Sequence, residues 1–325
     1  MKKYKVVLDC MGSDKGEEMM VKGAALALLE REELELMLVG NGDTVRAAVK
    51  SEGIDESRIE IVDTTEVITN LDSPAEALFK KRDSSLVVAL SRLSEREDLV
   101  GLVNAGSTGA LIAGAMMHLP TETRVRPALA ALLPAEKGGF VCLVDTGATI
   151  DCGAQTLLHF AKLGASFMKD MYGIESPRIG LLSNGAEPTK GNKAVKEAHA
   201  LIRDDESLNF VGNIEGTNAL SGDCDVLVCD GFAGNQVLKV TEGTARRIIT
   251  DIVRIAKNEG RGEYMQLVGA LMAKYDFNSL GGGIILGVRK PVIKAHGASN
   301  EQSIKNVIHM ILNLATNKHA FDGRA

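Results

Sequence analysis

Short apolar runs alternate with longer amphipathic stretches along most of the chain. The apolar runs are rich in Val, Ile and Leu and predict strands at 4–8, 35–39, 59–62, 99–103, 140–144, 178–182, 210–212 and 226–229. Apolar residues at helical spacing predict helices at 17–30, 43–50, 74–93, 108–118, 154–172, 190–203 and 236–258, with another beginning at Glu301. This alternation is typical of an α/β protein whose largely parallel sheet is covered by helices.

Polar, glycine-containing loops follow several of the predicted strands. They span 9–14, 104–109, 145–151, 183–192 and 230–235. In parallel α/β sheets, the residues that bind ligands lie on loops at the carboxyl ends of the strands. We therefore expect these loops to meet at one edge of the sheet.

The loop Asn104-Ala-Gly-Ser-Thr-Gly109 lies between a predicted buried strand and a predicted buried helix. The N–H groups at the start of that helix would point out of the loop and favour a phosphate or a developing oxyanion. This interpretation makes Asn104, Gly106, Ser107, Thr108 and Gly109 candidate binding residues. A tight turn formed by the two glycines fits the spacing equally well.

Lysine and asparagine side chains in the later loops could supply charge and hydrogen-bond donors. Lys190 and Asn192 lie near the predicted start of a helix, where a bound anion would explain the lysine, although exposed lysines are common. Asn235 could donate its amide to an oxyanion or cap the following helix. His296 lies in a small polar loop before the last predicted helix.

Acidic residues end two of the apolar strands, Asp145 and Asp230. Acids in such places usually fix loops or cap helices, and a metal site built from paired acids is the alternative. The five cysteines form no C-x-x-C pair, which favours small buried side chains over a disulfide framework or a zinc site. The sequence also lacks a complete G-x-G-x-x-G fingerprint, a phosphate-binding P-loop and a G-x-S-x-G elbow.

Composition narrows the class of protein further. The chain has 325 residues, 45% of them hydrophobic, and a net charge of -6 spread over both signs, which argues against a general nucleic-acid binder. No apolar run approaches the ~20 residues of a membrane span, so we expect a cytoplasmic protein. The chain can form one large α/β unit or two lobes, with a boundary near 134–139 and a helical excursion at about 245–280.

A set of motifs covers nearly the whole chain. The motifs lie at 9–14, 67–74, 104–110, 126–128, 151–152, 177–192, 211–216, 229–235 and 291–300. Together, in this order, they resemble those of the bacterial phosphate acyltransferases of phospholipid synthesis. The resemblance implies transfer of a fatty acyl group from acyl carrier protein to inorganic phosphate, without a metal or organic cofactor. It also implies a homodimer with a three-layer α/β/α fold like that of isocitrate and isopropylmalate dehydrogenases.

Carried over by motif, the resemblance makes Lys190 and Asn235 the catalytic residues. Lys190 would bind phosphate and stabilise transition-state charge, Asn235 would bind the acyl oxygen, and the 104–109 loop would hold phosphate or the thioester arm. Asn192, Asp230 and His296 would support them.

Four loops depart from the pattern usual in this family. Met11-Gly-Ser-Asp-Lys15 stands where Met-Gly-Gly-Asp-His is usual, and Asn104 and Ser107 stand where Ser and Asn are usual. The loops beginning at Asp145 and Ser183 differ too. A related enzyme that forms acetyl phosphate from a protein-bound acetyl thioester is therefore one alternative, and a non-catalytic partner of carrier protein is another. A nicotinamide-dependent dehydrogenase is a third alternative, weakened by the missing glycine fingerprint.

The predicted helical excursion carries several basic residues. Arg246, Arg247, Arg254, Lys257 and Arg261 could meet an acidic carrier protein or anionic lipid, although exposed helix charges are usually only solvated. Peripheral contact with a membrane surface is thus an alternative to a wholly cytoplasmic location.

Overall fold

The computed structural model describes residues 2–120, 126–275 and 282–316. Contacts between Cα atoms divide the chain into two compact units. The first comprises 1–129, 166–175 and 278–325, and the second comprises 130–165 and 176–277. The turn at 135–139, where a boundary was expected, lies within the second unit. Residues 276–280 of the predicted helical excursion lie outside the described residues.

In chain order, the first stretch of the first unit contains alternating strands and helices. They are β1 Tyr4–Asp9, α1 Gly16–Glu30, β2 Leu34–Gly40, α2 Gly42–Ser51, β3 Ile59–Asp63, α3 Pro74–Lys80, α4 Ser85–Glu95, β4 Leu99–Asn104 and α5 Thr108–His118. The next elements are β5 Ala128–Pro134, β6 Phe140–Val144, α6 Ala154–Tyr172, β7 Arg178–Ser183, α7 Lys193–Arg203, β8 Asn209–Glu215, β9 Val226–Val228, α8 Gly231–Asn258 and α9 Tyr264–Lys274. The last are β10 Gly283–Leu286, β11 Val292–Lys294 and α10 Glu301–Thr316.

The sheet of the first unit runs in the order β3-β2-β1-β4-β11-β10. Its pairs are parallel except β10 with β11. Helices α1, α2 and α10 pack together on one side of these strands, and α3, α4 and α5 form a second group. Because both groups contact the sheet, the central strands carry continuous apolar runs such as Val6–Val7–Leu8, which are fully buried.

The second unit has its own run of strands in the order β5-β6-β9-β7-β8. Only the pairing of β5 with β6 is antiparallel among these strands. One face carries Leu143 and Leu227, which pack with Val237 and Leu238 of α8. On the other face, a Cβ added to Gly164 of α6 would lie 2.5 Å from Val226, so this helix packs closely on the sheet. The predicted α/β class with a mostly parallel sheet is confirmed.

The structure corrects some predicted elements. The helix expected at 74–93 is two helices, because Ser84 begins α4 as its N-cap and the chain turns between Lys81 and Ser84. The helix expected to start at 190 starts at Lys193, and the one expected at 236 starts at Gly231. Strands β5, β10 and β11 were not predicted.

None of the five cysteines forms a disulfide bond in the structure. Four of them are buried and Cys152 is half-buried. The prediction that they serve mainly as small buried side chains is confirmed.

Candidate functional site

In the first unit, the carboxyl ends of β1 and β4 place two polar side chains side by side. Leu8 pairs with Val103, so the next residues, Asp9 and Asn104, are neighbours. Both are buried. The Nδ2 of Asn104 donates to Oδ2 of Asp9 at 2.7 Å, and Oδ1 of Asn104 accepts the N–H of Gly106 at 2.9 Å. Asn104 therefore shapes the turn that leads into α5.

The start of α5 offers N–H groups to an anion. Ser107 is the N-cap, its side chain makes no capping bond, and its carbonyl accepts the N–H of Leu111 at 3.0 Å. The preceding N–H groups, from Thr108 to Ala110, have no acceptor within the helix. Because the N–H of Gly106 is bonded to Asn104, an anion at this loop would be bound mainly by Ser107, Thr108 and Gly109.

Two further loops of the first unit adjoin this helix start. A Cβ added to Gly12 would lie 3.0 Å from Cα of Gly106, so the loop after β1 packs backbone against backbone on the 104–109 loop. The N–H of Asp14 donates to the carbonyl of Gly297 at 3.0 Å, and the N–H of Ala295 donates to the carbonyl of Asn104 at 2.8 Å. The loops after β1, β4 and β11 thus form one cluster, which we call the helix-α5 cluster (residues 9–14, 104–109 and 295–300).

His296 belongs to the helix-α5 cluster. Its side chain is exposed, and its Nδ1 accepts the N–H of Ala298 at 3.1 Å. This bond fixes one ring nitrogen as an acceptor and sets the orientation of the ring.

In the second unit, the loop after β7 carries Lys190. The side chain is exposed, and the N–H of Lys190 donates to the carbonyl of Glu187 at 2.9 Å. Asn184 accepts the N–H of Gly191 at 2.8 Å, and Gly191 has a φ of +98°, which favours glycine. Asn192 is the N-cap of α7 and accepts the N–H of Val195 at 2.9 Å. Lys190 therefore lies in the loop just before the helix, rather than in its first turn.

Two polar atoms below this loop have no partner among the described residues. They are Oγ of Ser183 and Oδ1 of Asn213. The Nδ2 of Asn213 donates to the carbonyl of Glu187 at 2.8 Å. Asn213 thus anchors the loop from the neighbouring strand β8.

The segment 230–235 is the beginning of α8 rather than a loop. Asp230 is the N-cap and accepts the N–H of Ala233 at 2.7 Å. Asn235 lies in the second turn and is half-buried. The alternative in which Asn235 caps this helix is therefore wrong, and its amide is left for another role.

A buried carboxylate holds the loop beside α8. Asp145 accepts the N–H groups of Gly147, Ala148 and Thr149 at 3.2, 3.0 and 2.6 Å. The N–H of Gly231 donates to the carbonyl of Thr149 at 2.8 Å. Asp145 and Asp230 thus fix a loop and cap a helix, and within the described ranges no group of three metal-ligating side chains lies together.

Comparison with known proteins identifies the family of this chain. The family model described as "Fatty acid synthesis protein" matches residues 4–320. A phosphate acyltransferase of Clostridium acetobutylicum is 38% identical over 96% of each chain. One from Lactococcus lactis is 38% identical over 94% of this chain and 93% of that protein.

The chain belongs to the phosphate acyltransferase family. The predicted resemblance and the prediction of an acyltransferase enzyme are both confirmed.

Some solved structures have low sequence identity to this member of the phosphate acyltransferase family but share its fold. A phosphotransacetylase from Streptococcus pyogenes has a TM-score of 0.63 at 20% identity and covers 97% of this chain and 94% of its own. A 4-hydroxythreonine-4-phosphate dehydrogenase from Klebsiella pneumoniae has a TM-score of 0.57 at 13% identity and covers 97% of this chain and 100% of its own. These likenesses confirm the three-layer α/β/α prediction and carry no conclusion about substrate.

The structure places the candidate residues of this family member in two groups. Asn104, Gly106, Ser107, Thr108, Gly109 and His296 lie in the helix-α5 cluster, whereas Lys190, Asn192, Asp230 and Asn235 lie in the second unit. The expectation that all the loops meet at one edge stays a prediction.

The sequence analysis did not select Asp9 as a candidate site residue, although an acidic residue directly after an apolar strand was a visible signal. Burial raises the pKa of its carboxyl to about 6.

Proposed function

We propose that this enzyme transfers a fatty acyl group from acyl carrier protein to inorganic phosphate, forming acyl phosphate for phospholipid synthesis. Membership of the phosphate acyltransferase family supports the reaction class. The observation that carries the assignment of phosphate is the start of α5, where N–H groups that have no acceptor within the helix follow a loop held by buried side chains.

The proposed reaction needs a bound anion and a donor for the carbonyl oxygen, and no separate nucleophile on the enzyme. An oxygen of hydrogen phosphate attacks the thioester carbonyl carbon and forms a C–O bond. The C–S bond then breaks, and the carrier thiolate takes the proton that hydrogen phosphate brought. The products are acyl phosphate and free carrier thiol, so atoms and charge balance.

The residue roles follow from the type and place of each side chain. The N–H groups of Ser107, Thr108 and Gly109 would bind phosphate. Lys190, an exposed lysine in a loop held by backbone bonds, would neutralise phosphate and transition-state charge. Asn235 would donate its amide to the developing oxyanion of the acyl group.

The remaining candidates would position these groups. The side chains of Asn192 and Asp230 accept N–H bonds at the starts of α7 and α8, so they would orient the segments that carry Lys190 and Asn235. His296 would support phosphate binding from the loop that adjoins Asn104.

The experiment that tests the proposal is a comparison of acyl donors. Acetyl, malonyl and palmitoyl thioesters, each on carrier protein and on coenzyme A, are incubated with and without phosphate, and free thiol and acyl phosphate are measured. The proposal expects phosphate-dependent turnover that is fastest with palmitoyl carrier protein. Turnover restricted to acetyl thioesters would favour the acetyl-phosphate alternative. Carrier binding without turnover at any chain length would favour the non-catalytic alternative, and either result overturns the proposal.

We also propose that the enzyme is a cytoplasmic homodimer. Helix α8 exposes Val240, Ile248 and Ile255, which a second copy could cover. Contact with anionic lipid is less well supported, because Arg247 and Arg254 both pair with Asp251 and Arg261 pairs with Glu259. In the part of the chain that the structure describes, no helix meets the length and hydropathy required to cross a membrane.

A further inference from the structure

The amide of Asn104 is engaged at both ends, and its orientation depends on Asp9. Oδ1 of Asn104 accepts the N–H of Gly106, whereas Nδ2 donates to Asp9. If the Asn104 amide were rotated by 180°, its NH2 group would face the N–H of Gly106, and the hydrogen bond from Gly106 would be lost. The partner of Nδ2 therefore decides which way the amide points.

We propose that Asp9 is a positioning residue for phosphate, which acts through Asn104 to hold the 104–109 loop in the conformation that presents the α5 N–H groups. This inference rests on the proposed function, since it concerns the same phosphate site. It assigns to Asp9 a task that requires a carboxylate with no hydrogen on either oxygen.

The surroundings of Asp9 show why a carboxylate suits this position. Oδ2 accepts from Asn104 at 2.7 Å, and Oδ1 accepts the N–H of Met11 at 3.1 Å. The hydroxyl of Ser85, at the start of α4, also donates to this carboxylate. Donors thus reach Asp9 from three different segments, and a carboxylate can accept from all of them, whereas an amide presents an NH2 group to one.

The consequence for the loop follows from the packing around it. Asp9, Ser85 and Asn104 are all buried, so water has little access to replace a lost bond. Gly12 packs against the backbone of Gly106, so a shift of the turn at Gly106 would also displace the loop after β1. Loss of the Asp9–Asn104 bond should therefore misplace the N–H groups of Ser107 to Gly109 and weaken phosphate binding.

The pKa of Asp9 is consistent with this task. Burial raises it to about 6, the bonds from Ser85, Asn104 and Met11 oppose that rise, and the charge of Glu17 adds to it. At neutral pH, which is above this pKa, the Asp9 carboxyl is therefore ionised. Its role as a hydrogen-bond acceptor on both oxygens requires this ionised form.

A reciprocal exchange of the two side chains tests the proposal. In Asp9→Asn, an NH2 group faces the NH2 group of Asn104, and in Asn104→Asp, two carboxylates face each other. In the double variant Asp9→Asn/Asn104→Asp, the new amide can accept from Met11 and donate to the new carboxylate, which can also accept from Gly106. The bonds to Met11 and Gly106 are thereby kept, and the bond between the two exchanged side chains is restored with donor and acceptor reversed.

The expected readout is a change in KM for phosphate. Each single variant should raise it by about tenfold, with KM for the acyl donor changed by less than about twofold, and the double variant should recover to within about threefold of the wild type. A residue that only supported folding would lower the concentration of active enzyme, and hence the maximal rate, and would leave both KM values unchanged. Asp9→Asn with an unchanged KM for phosphate, or a double variant worse than both single variants, overturns the proposal.

A matched control is Asp63→Asn. Asp63 ends β3 in the same unit and accepts the N–H of Gly42 at 2.7 Å, so the change removes a carboxylate without touching the 104–109 loop. Its KM for phosphate should stay at the wild-type value.

Failure of the proposed function would look different from failure of this inference. If the wild type forms no acyl phosphate, the proposed function fails. The same variants are then tested for stabilisation by inorganic phosphate in thermal unfolding. Loss of that stabilisation in both single variants and its return in the double variant would support the role of Asp9, and equal stabilisation in all variants would contradict it.

Discussion

The carbonyl oxygen of Asp145 lies so close to Gly234 that a Cβ added to this glycine would be 1.9 Å from it. The same Cβ would lie 2.8 Å from Sγ of Cys229. The first turn of α8 therefore packs directly on the backbone of the loop that Asp145 holds. Because Asn235 is the next residue, this contact sets the position of the amide proposed to bind the acyl oxygen.

We expect Gly234→Ala to destabilise the protein strongly. The new methyl group would overlap with backbone rather than with a movable side chain, so the free energy of unfolding should fall by about 3 kcal/mol. Denaturant unfolding measures the change. Gly243→Ala on the same helix is the control, because nothing lies within 4 Å of its added Cβ. It should be neutral or stabilising by up to about 1 kcal/mol, and similar losses in both variants would contradict the explanation.

Asn235→Asp should lower turnover while leaving the fold intact. The change keeps the size of the side chain and replaces the NH2 donor with a carboxylate oxygen, which would repel a developing oxyanion. We expect kcat to fall about 100-fold, the effect typical of losing one oxyanion donor. An acid near the start of α8 is favourable to the helix dipole, so the melting temperature should not drop. The control is the same chemical change at the neighbouring residue, Gln236→Glu, which should retain wild-type kcat.

Lys190→Ala should lower kcat/KM for phosphate by about 100-fold, since it removes the charge proposed to stabilise both bound phosphate and the transition state. Lys190 is exposed, so unfolding should be unchanged. Lys193→Ala is the matched control, because this lysine is also exposed and lies only three residues further along the chain. Initial rates at varied phosphate concentration separate the two variants. Equal rates for both would remove Lys190 from the proposed mechanism.

The strands predicted from sequence were those marked by short apolar runs of mainly β-branched and aliphatic residues. The strand predicted at 4–8 is observed at Tyr4–Asp9, for example. Strand β5 was missed because its Ala and Leu residues favour helices, and its pairing with β6 overrides that local preference. Strands β10 and β11 are too short to give a pattern.

In the candidate site, too, features that depend on local sequence could be predicted, whereas features that depend on contacts between distant residues could not. The anion-binding character of the 104–109 loop was visible because it depends on local order: a strand, small residues and then a helix. The start of α8 was predicted to be a loop because Gly231 and Gly234 disfavour helices, yet close contact with the Asp145 loop requires those glycines. Asp9 was missed because its significance depends on Asn104, which is 95 residues away in sequence.

The raised pKa of Asp9 predicts how stability depends on pH. The carboxyl has a pKa of about 6 in the folded state and its ordinary value of 3.8 when unfolded. Between pH 3.8 and about 6, the Asp9 carboxyl is ionised in the unfolded chain but still protonated in the folded protein. The wild type should therefore lose about 3 kcal/mol of unfolding free energy relative to Asp9→Asn as the pH rises from below 3.8 to above 6. Denaturant unfolding of both proteins at several pH values measures this difference, and a difference that stays constant with pH would contradict it.

The exposed apolar side chains of α8 lead to a prediction about assembly. Val240, Ile248 and Ile255 are 64%, 53% and 44% exposed, and their spacing of eight and seven residues places them on one stripe of the helix. If a second copy covers this stripe, a carboxylate at its centre would be buried without a partner. Ile248→Asp should therefore raise the dimer dissociation constant at least about tenfold, as measured by sedimentation.

Thr250→Asp provides the control for this prediction. It adds the same carboxylate two residues further along α8, at an exposed position on the opposite side of the helix, and should leave the dimer unchanged. A monomeric wild type would contradict the proposed homodimer itself. An Ile248→Asp variant that dimerises like the wild type would place the interface elsewhere. Dissociation by both variants would point to a general loss of helix stability, since an interface on the Ile248 stripe alone should not be affected by a charge on the far side.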